Sequence, residues 1–257
     1  MKFKVFLINL DKSTDRLELC KKELEKFGVE FERVAAVYGK DLSQQQVDDV
    51  YNADNNYKLY KKSLSLGEIG CYLSHITCWQ KIIDESLDYA VILEDDFILS
   101  DSFKDFESLL TQLKNWDYIR LAFSSREVPA LQRTEISDSY DLVKYEKTPI
   151  NTLAQVVSNQ GAIKLVANSQ QIFRPVDVDF KHYWEKNINV LGIDPPLIKQ
   201  QNSETSETSE ISKIAAGKGR AEKSSTWRNI KYAISFYLKN RKQNNAKLNL
   251  SQFIKNN

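Results

Sequence analysis

The sequence predicts an α/β fold in which a mostly parallel sheet is covered by helices on both faces. Short apolar segments alternate with amphipathic segments over most of residues 4–167, an alternation typical of βαβ units. The predicted strands are apolar throughout, as expected for strands buried on both faces. A chain of 257 residues, 42% of them hydrophobic, can form one large domain with an extension.

The first βαβ unit is predicted near the N-terminus. A strand at 4–9 leads through a polar turn to an amphipathic helix at 17–27, which Gly28 ends, and a second strand follows at 31–36. The remaining predicted elements are short helices and loops at 41–62, a helix in the second half of 67–83, strands at 90–93, 118–123 and 153–157, and helices at 102–113 and from 161 onward.

Charge is distributed unevenly along the chain. Residues 213–257 contain eleven Lys and Arg residues and one acidic residue, so this tail carries +10, and the rest carries −9 because the total is +1. Such asymmetry favours a tail that binds an anionic surface, either a membrane or nucleic acid. Because the body is acidic and contains no recognised nucleic-acid-binding motif, we expect an anionic membrane and no nucleic acid.

The predicted domain organisation follows composition. A main domain at 1–202 is expected to be joined by a loop or linker at 203–212, with the repetitive sequence SETSETSEIS, to a C-terminal helical extension at 213–257. Within the extension, 227–238 predict a basic amphipathic helix, with Arg228 and Lys231 mostly opposite its apolar side. Such a helix either lies in a membrane interface or packs on the domain, and the sequence leaves both open.

Cysteine content and hydropathy indicate a cellular location. The three cysteines, Cys20, Cys71 and Cys78, form no paired spacing, so a reducing compartment is expected, and the last two are predicted to be small core residues. No segment reaches eighteen apolar residues, and the N-terminal apolar run is only six residues long. We therefore expect a cytoplasmic protein, either free or peripheral on the inner membrane.

The segment AVILEDDFIL, residues 90–99, places the adjacent carboxylates Glu94, Asp95 and Asp96 at the end of a predicted strand. A buried strand accommodates carboxylates only at its end or beside a compensating cation. Ligands of open α/β sheets bind at such strand ends, and adjacent carboxylates suit Mg²⁺ or Mn²⁺ shared with substrate phosphates. The alternative is a solvent-exposed acidic turn, which short acidic runs commonly form.

Two longer motifs, GEIGCYLSH at 67–75 and ILEDD at 92–96, occur with several shorter segments over about residues 3–212. The shorter segments are VFLINL at 5–10, Asp15-Arg16, RVAA at 33–36, Trp79, SNQGA at 158–162, PVD at 175–177 and PPLI at 195–198. Together they resemble glycosyltransferase family 25, the lipooligosaccharide galactosyltransferase family. The resemblance implies a GT-A-like nucleotide-sugar-binding fold and an inverting, β-linkage-forming transfer of a hexose, with galactose from UDP-galactose favoured, to a lipid-linked lipooligosaccharide or lipopolysaccharide.

The resemblance also implies a divalent metal, Mn²⁺ or Mg²⁺ with Mn²⁺ favoured. Glu94, Asp95 and Asp96 would hold it, and His182 could complete the ligand shell or could instead be a surface histidine. If the strand continues this far, alternation places Glu94 and Asp96 toward the cleft and Asp95 on the opposite side. The GEIGCYLSH histidine, His75, either takes part in catalysis or positions the strand that carries the carboxylates.

Further roles concern the donor and the attacking hydroxyl. Glu94 and Asp95 are expected to share the donor site with residues near the first strand end and first helix start, where nucleotides usually bind. These are Asn9, Leu10, Arg16, Ala35 and Ala36, the two alanines being small enough to admit a uracil ring. Either Asp177 or Asp179 is expected to be the general base, although both could instead belong to an acidic loop.

The sequence departs from the family pattern at one informative position. Gln155 stands where family members commonly have a tyrosine, so glucose or N-acetylhexosamine donors remain alternatives to galactose. A second functional hypothesis is a catalytically silent nucleotide-sugar-binding or glycan-binding protein that keeps the fold.

Overall fold

The computed structural model describes residues 1–122, 129–201, 226–246 and 248–255. Its strands are β1 Phe3–Asn9, β2 Glu32–Ala35, β3 Tyr89–Glu94, β4 Phe97–Leu99, β5 Tyr118–Arg120, β6 Ala130–Ser137, β7 Tyr140–Tyr145, β8 Ala154–Ser158, β9 Val190–Asp194 and β10 Ile198–Gln200. Its α-helices are α1 Thr14–Glu25, α2 Gln44–Val50, α3 Ala53–Leu59, α4 Leu66–Asp84, α5 Phe106–Thr111, α6 Asn159–Ala167, α7 Val176–Asp179 and α8 Thr226–Asn245. Short 3-10 helices lie at Gly39–Asp41, Asp101–Asp105, Phe180–Glu185 and Leu250–Phe253.

The central sheet of the described residues has eight strands in the order β2-β1-β3-β8-β5-β9-β7-β6. β1 pairs in parallel with β2 and β3, and β5 pairs in parallel with β9, whereas β8 and β7 run antiparallel to their neighbours. Six of the eight strands therefore run in the same direction, and the predicted α/β fold with a mostly parallel sheet is confirmed. β4 and β10 form a separate antiparallel pair.

Alternating side chains divide the core into two layers, one on each face of the sheet. Leu7 of β1 and Val91 of β3 belong to the layer that also contains residues of α1 and α5. Their neighbours Phe6 and Ile92 belong to the layer formed with α4 and α6. Because side chains of a strand alternate with a period of two, a continuous apolar strand is buried on both faces.

Helix α4 begins at Leu66, earlier than the sequence analysis predicted. Ser65 and Glu68 form a capping box, in which each side chain accepts a hydrogen bond from the other's backbone amide. Gly70 lies in the first half of the helix, where a Cβ would meet the Val37 carbonyl oxygen at 2.4 Å. The glycine therefore permits close approach of a neighbouring backbone segment, whose Val37 amide donates to Ser74 Oγ at 2.8 Å.

The described part of the C-terminal extension packs on the body of the protein, while the predicted linker at 203–212 lies outside the described residues. In α8, the ring of Tyr232 lies 5.4 Å from that of Tyr60, and Phe236 is buried. Farther along, Leu250 and Phe253 are buried in the core layer that contains α1 and α5. The extension thus contacts both core layers.

Helix α8 also presents a second apolar face, which points to solvent. We call it the exposed stripe, and its members are Trp227, Ile230, Ile234, Tyr237 and Leu238. The accessible fraction is 73% for Trp227 and 60% for Leu238. Arg228 lies on the packing side, where it donates to the Asn56 and Tyr60 carbonyls at 3.3 and 3.2 Å. The prediction of a single apolar face opposite Arg228 is therefore wrong, because the buried and exposed apolar residues occupy different sides.

Among the described residues, no helix combines the length and the hydropathy needed to span a membrane.

Replacing Gly70 with alanine tests the close approach of α4 to the Val37 segment. Since the new Cβ would meet backbone rather than a flexible side chain, Gly70→Ala should lower the free energy of unfolding by about 1–3 kcal/mol. Urea unfolding followed by circular dichroism measures this loss. Gln80→Ala, at an exposed position of the same helix, should change it by less than about 0.5 kcal/mol. Equal effects of the two changes would contradict the steric explanation.

Candidate active site

The carboxyl ends of β2, β1 and β3 meet at one edge of the sheet. Because these strands are adjacent and parallel, Asn9 of β1 lies beside Ala35 of β2, and Ile8 lies beside Glu94 of β3. This is the edge at which open α/β sheets bind ligands. The pairing therefore brings together segments that are far apart in the sequence.

A cavity of about 290 Å³ opens at this edge, and we call it the acidic cavity. Its lining includes the three adjacent carboxylates. It also includes four of the five other residues that were predicted to bind the donor. The lining residues are Ile8, Asn9, Leu10, Arg16, Ala36, Val37, Tyr38, Gly39, Lys40, Gly67, Cys71, Ser74, Glu94, Asp95, Asp96 and Gln200. Ala35 is the exception: it is exposed at the end of β2 and does not line the cavity.

Asp95 is held by two side chains of the cavity wall. Its Oδ1 lies 2.5 Å from Arg16 Nη2, and its Oδ2 accepts from Asn9 Nδ2 at 2.7 Å. The condition for Asp95 to point away from the cleft is not met, because β3 ends at Glu94 and a turn brings Asp95 and Asp96 to the cavity as well. With both oxygens engaged, Asp95 anchors Arg16 and is poorly placed to bind a metal.

Asp96 is less committed to protein partners. Gln200 Nε2 donates to its Oδ2 at 3.1 Å. Burial and the nearby charge of Glu94 raise the pKa of Asp96 above its ordinary value. A raised carboxyl pKa indicates that the site disfavours further negative charge, so a bound cation would stabilise the ionised form.

Glu94 is fixed by a chain of buried polar groups. His75 Nε2 donates to Glu94 Oε1 at 3.1 Å, and Thr152 Oγ1 donates to the same oxygen. Gln155 Nε2 donates to His75 Nδ1 at 3.1 Å, which leaves the proton on Nε2. Burial tends to raise the pKa of Glu94, but the hydrogen bonds from His75 and Thr152 outweigh it and lower that pKa. Since His75 is fully buried, it positions Glu94 rather than facing the cavity.

The donor set of the acidic cavity fits a hard divalent cation. Glu94 and Asp96 offer carboxylate oxygens, which are the ligands that Mg²⁺ and Mn²⁺ prefer. Burial raises the pKa of Asp95 too, despite the opposing charge of Arg16. The three acidic groups outnumber the two basic residues of the lining, Arg16 and Lys40, and therefore leave room for additional positive charge.

The structure does not bring His182 to these carboxylates, so its prediction as a metal ligand is wrong. Its Nε2 lies 3.1 Å from the Tyr232 hydroxyl of α8, and its Nδ1 lies 3.7 Å from Glu185. The ring is also 5.2 Å from the Phe236 ring. His182 is therefore part of the contact between the 3-10 helix Phe180–Glu185 and α8.

Of the two predicted base candidates, Asp179 has a structural role. It is buried and lies 2.7 Å from Arg174 Nη2 and 2.8 Å from Lys186 Nζ, and Tyr72 donates to it at 2.6 Å. Burial tends to raise the pKa of Asp179, but the two cations lower it below its ordinary value. A carboxylate so strongly held in its charged form is a weak base.

Asp177, unlike Asp179, is partly accessible and has a raised pKa. It is half-buried, and its Oδ1 accepts from the Val178 amide at 2.7 Å. Burial and the charges of Glu94 and Glu68 raise the pKa of Asp177. Asp177 does not line the acidic cavity, but its pKa is shifted in the direction that favours a general base.

Several cavity residues were missed by sequence reasoning. Cys71, predicted as a core residue, packs against the core and also lines the cavity, and Tyr38, Lys40 and Gln200 were not singled out. The helical spacing of Cys71 and Ser74 was a usable signal, because residues three apart share one helix face. Arg33, within RVAA, was also missed as a support of the site: its Nε donates to Asn9 Oδ1 at 3.1 Å.

The comparisons with known proteins agree with this geometry. Residues 2–180 match the family described as Glycosyltransferase family 25 (LPS biosynthesis protein). The chain belongs to glycosyltransferase family 25. This membership accords with the GT-A-like fold class predicted from the sequence.

Curated relatives of this family 25 chain carry galactosyltransferase names. Procollagen galactosyltransferase 1-A of Xenopus laevis is 32% identical over 191 residues, covering 68% of this chain and 30% of the relative. Procollagen galactosyltransferase 2 of Homo sapiens is 28% identical over 220 residues, covering 76% and 34%. The chain thus spans about a third of the length of these relatives.

A solved structure of a glycosyltransferase involved in the glycosylation of the major capsid of PBCV-1 is also similar. It has a TM-score of 0.43 and 11% sequence identity, covering 84% of this chain and 98% of that one. That score is too low to support an argument about fold or function.

The structural role of Asp179 predicts a pH-dependent stability. Asp179→Asn leaves Arg174 and Lys186 without their shared anion, so the free energy of unfolding at pH 7 should fall by about 3–5 kcal/mol. In the unchanged protein, the folded pKa of Asp179 lies below its unfolded value. Its contribution is therefore complete above about pH 4 and is lost as the pH falls further. Urea titrations from pH 7 to pH 3 measure both effects.

Asp177→Asn is the matched control for this experiment. Because the folded pKa of Asp177 is raised, removing its charge should leave stability at pH 7 unchanged or slightly increased. A loss as large as that of Asp179→Asn would contradict the different roles assigned to the two aspartates.

Proposed function

We propose that this family 25 chain is a galactosyltransferase that transfers galactose from UDP-galactose. The acidic cavity at the carboxyl ends of β1, β2 and β3 carries the proposal, because it joins three carboxylates, one arginine and one lysine at the edge where open α/β sheets bind nucleotides. The names of the relatives, which are procollagen galactosyltransferases, support galactose as the sugar. The family description, and the resemblance in the motifs, support a lipid-linked lipooligosaccharide or lipopolysaccharide as the acceptor.

The donor is expected to lie along the cavity wall. Ala36 and Tyr38 line the part nearest β2, where a small side chain and an aromatic ring can accept the uracil ring. Arg16, held in place by Asp95, and Lys40 supply positive charge for the diphosphate. Asp96 and Glu94 would hold a divalent cation, for which Mn²⁺ is favoured, and this cation would neutralise charge on the departing UDP.

The base chemistry is assigned to Asp177. The acceptor hydroxyl oxygen forms a bond to the anomeric carbon of galactose while the bond from that carbon to the UDP oxygen breaks. The hydroxyl proton passes to the Asp177 carboxylate, whose raised pKa suits it to accept a proton. Attack on the face opposite to UDP inverts the anomeric centre, so the product carries a β-linkage.

Gln155 can affect the choice of donor sugar only indirectly, through the residues that it contacts. It does not line the acidic cavity, but its amide sets the proton position of His75, which in turn holds Glu94. Gln155 therefore supports the position of a cavity carboxylate. Glucose and N-acetylhexosamine are the alternative sugars in the donor assay.

We further propose that α8 attaches the protein to an anionic membrane surface, where a lipid-linked acceptor would be available, from the cytoplasmic side. The exposed stripe supplies apolar and aromatic side chains, and Lys231, Arg241 and Lys242 are exposed on the same helix. Residues 226–255 contain no acidic side chain. Apolar insertion combined with basic residues is typical of interfacial helices.

Release of UDP from a panel of UDP-sugars tests the donor and the metal together. Purified protein with Mn²⁺ should hydrolyse UDP-galactose slowly and in preference to UDP-glucose and UDP-N-acetylglucosamine, and EDTA should abolish the reaction. Asp96→Asn should lower the rate by about 100-fold or more, because charge on the leaving group is no longer neutralised. Asp138→Asn, an exposed change in the turn between β6 and β7, should leave the rate unchanged.

Two further outcomes of this assay are informative. The protein could bind UDP-galactose tightly and yet release no UDP, both alone and with an acceptor lipooligosaccharide that lacks its terminal galactose. That result would support the catalytically silent binding protein instead. Asp177→Asn should keep donor binding but lower transfer to that acceptor by about 100-fold or more. Transfer that survives Asp177→Asn would assign the base elsewhere.

Vesicle binding tests the exposed stripe of α8. Ile234→Glu should weaken binding to phosphatidylserine-containing vesicles by at least about tenfold. The change removes an apolar side chain that would be buried in the membrane interface, and it adds a negative charge that the anionic lipid repels. Ser235→Glu, an exposed neighbour outside the stripe, adds the same charge and should cost only about fivefold. Equal losses of vesicle binding in the two variants would contradict the membrane proposal. Binding that is independent of salt concentration and of anionic lipid would contradict it as well.

A further inference from the structure

A sulfur, a nitrogen and an oxygen ligand meet beside the acidic cavity. Cys71 Sγ, a ring nitrogen of His75 and a carboxylate oxygen of Glu94 all lie within 4.8 Å of one another. Cys71 and His75 are four residues apart in α4 and therefore lie on one face of the helix. Glu94 reaches them from the end of β3. The packing of α4 against the sheet edge thus creates a three-residue cluster.

This cluster matches the ligands of a zinc site with an open position. Cysteine sulfur, histidine nitrogen and glutamate oxygen bind Zn²⁺ at about 2.0–2.3 Å, and sites with three protein ligands leave the fourth position open. Cys71 and Glu94 both line the acidic cavity, so an ion can enter from it. Sulfur and imidazole ligands select Zn²⁺ and Co²⁺ over Mg²⁺.

The surroundings of His75 can support metal binding. Histidine ligands usually donate their second ring N–H to an acceptor. The neighbouring acceptor is Gln155 Oε1, a fully buried atom that has no hydrogen-bond partner among the described residues. Turning the Gln155 amide by 180° brings Oε1 to His75 Nδ1, which then carries the proton. His75 Nε2, now 3.1 Å from Glu94 Oε1, is left with a lone pair for the ion.

We propose that Cys71, His75 and Glu94 form a binding site for a thiophilic divalent cation, with Zn²⁺ as the expected occupant. The Cys71 thiol releases its proton to solvent as the sulfur–metal bond forms, so no oxidant is needed. This site differs from the oxygen-ligand site at Asp96, although the two share Glu94. Its ligands are these three side chains, and it stands whether or not the chain transfers galactose.

Cobalt provides a direct optical test, because a thiolate bound to Co²⁺ produces a sulfur-to-cobalt charge-transfer band that oxygen ligands do not. The full chain is freed of metal with a chelator, kept reduced with a phosphine and titrated with CoCl₂. We expect the band to saturate at one equivalent of Co²⁺ and to disappear when ZnCl₂ displaces the cobalt. The absence of a band in the folded protein would overturn the proposal.

Variants identify which side chains bind the cobalt. Cys71→Ser should abolish the band, whereas Cys78→Ser, on the same helix but within the core, should retain it, with circular dichroism confirming the fold of each. Gln155→Leu should weaken cobalt binding by about 10-fold to 100-fold, as expected for loss of the group that supports a histidine ligand. A band that survives Cys71→Ser would contradict the assignment.

Asp96→Asn separates this proposal from the proposed function. It should retain the charge-transfer band while losing manganese-dependent release of UDP. Loss of the band in Asp96→Asn would instead mean that the cluster is not an independent site.

Discussion

Parallel pairing of β1 with β2 and β3 is the constraint on which the rest of the structure depends. It brings the end of β1, the RVAA segment and the ILEDD segment to one edge of the sheet. Parallel strands need helical crossovers, and α1 and α4 lie in the connections that lead from β1 to β2 and from β2 to β3. The same pairing therefore positions the arginine of α1 and the cysteine and histidine of α4 around the carboxylates.

The carboxylates of this edge are compensated in different ways. Asp95 is neutralised by Arg16, Glu94 is stabilised by hydrogen bonds from His75 and Thr152, and Asp96 relies on Gln200. The opposite pKa shifts of Glu94 and Asp96 express this difference, because only the first has enough donors to offset burial. A single acidic motif thus contains one carboxylate that anchors an arginine, one that is held by hydrogen bonds and one with few protein partners.

The C-terminal extension is both part of the fold and a candidate surface for membrane binding. Its inner side contributes Tyr232 and Phe236 to contacts with the body, while the exposed stripe leaves large apolar side chains in solvent. Apolar periodicity alone cannot distinguish a helix side that packs on the body from one that binds a membrane, since both give the same spacing of apolar residues. Only the position of the body tells which side is covered.

Much of the fold followed from local pattern, because alternation, helix periodicity and turn residues are short-range properties. The strands at β1, β3 and β8, the helix α1 and the acidic strand end were all predicted. The early start of α4 was missed, because its first half contains two glycines, and the close backbone approach that Gly70 permits is a tertiary contact. The hairpin of β6 and β7 was missed as well, since its mostly exposed first strand has no continuous apolar run.

By itself, the sequence determined the α/β class, the family and the carboxylates of the site, since these depend on residue type and order. Only the tertiary structure separated Asp177 from Asp179, removed His182 from the metal ligands and joined Cys71 to His75 and Glu94. The physical reason is that charge compensation depends on distances between segments far apart in sequence. Arg174 and Lys186 neutralise Asp179, whereas Glu94 repels Asp177, and no local pattern distinguishes two aspartates that are two residues apart.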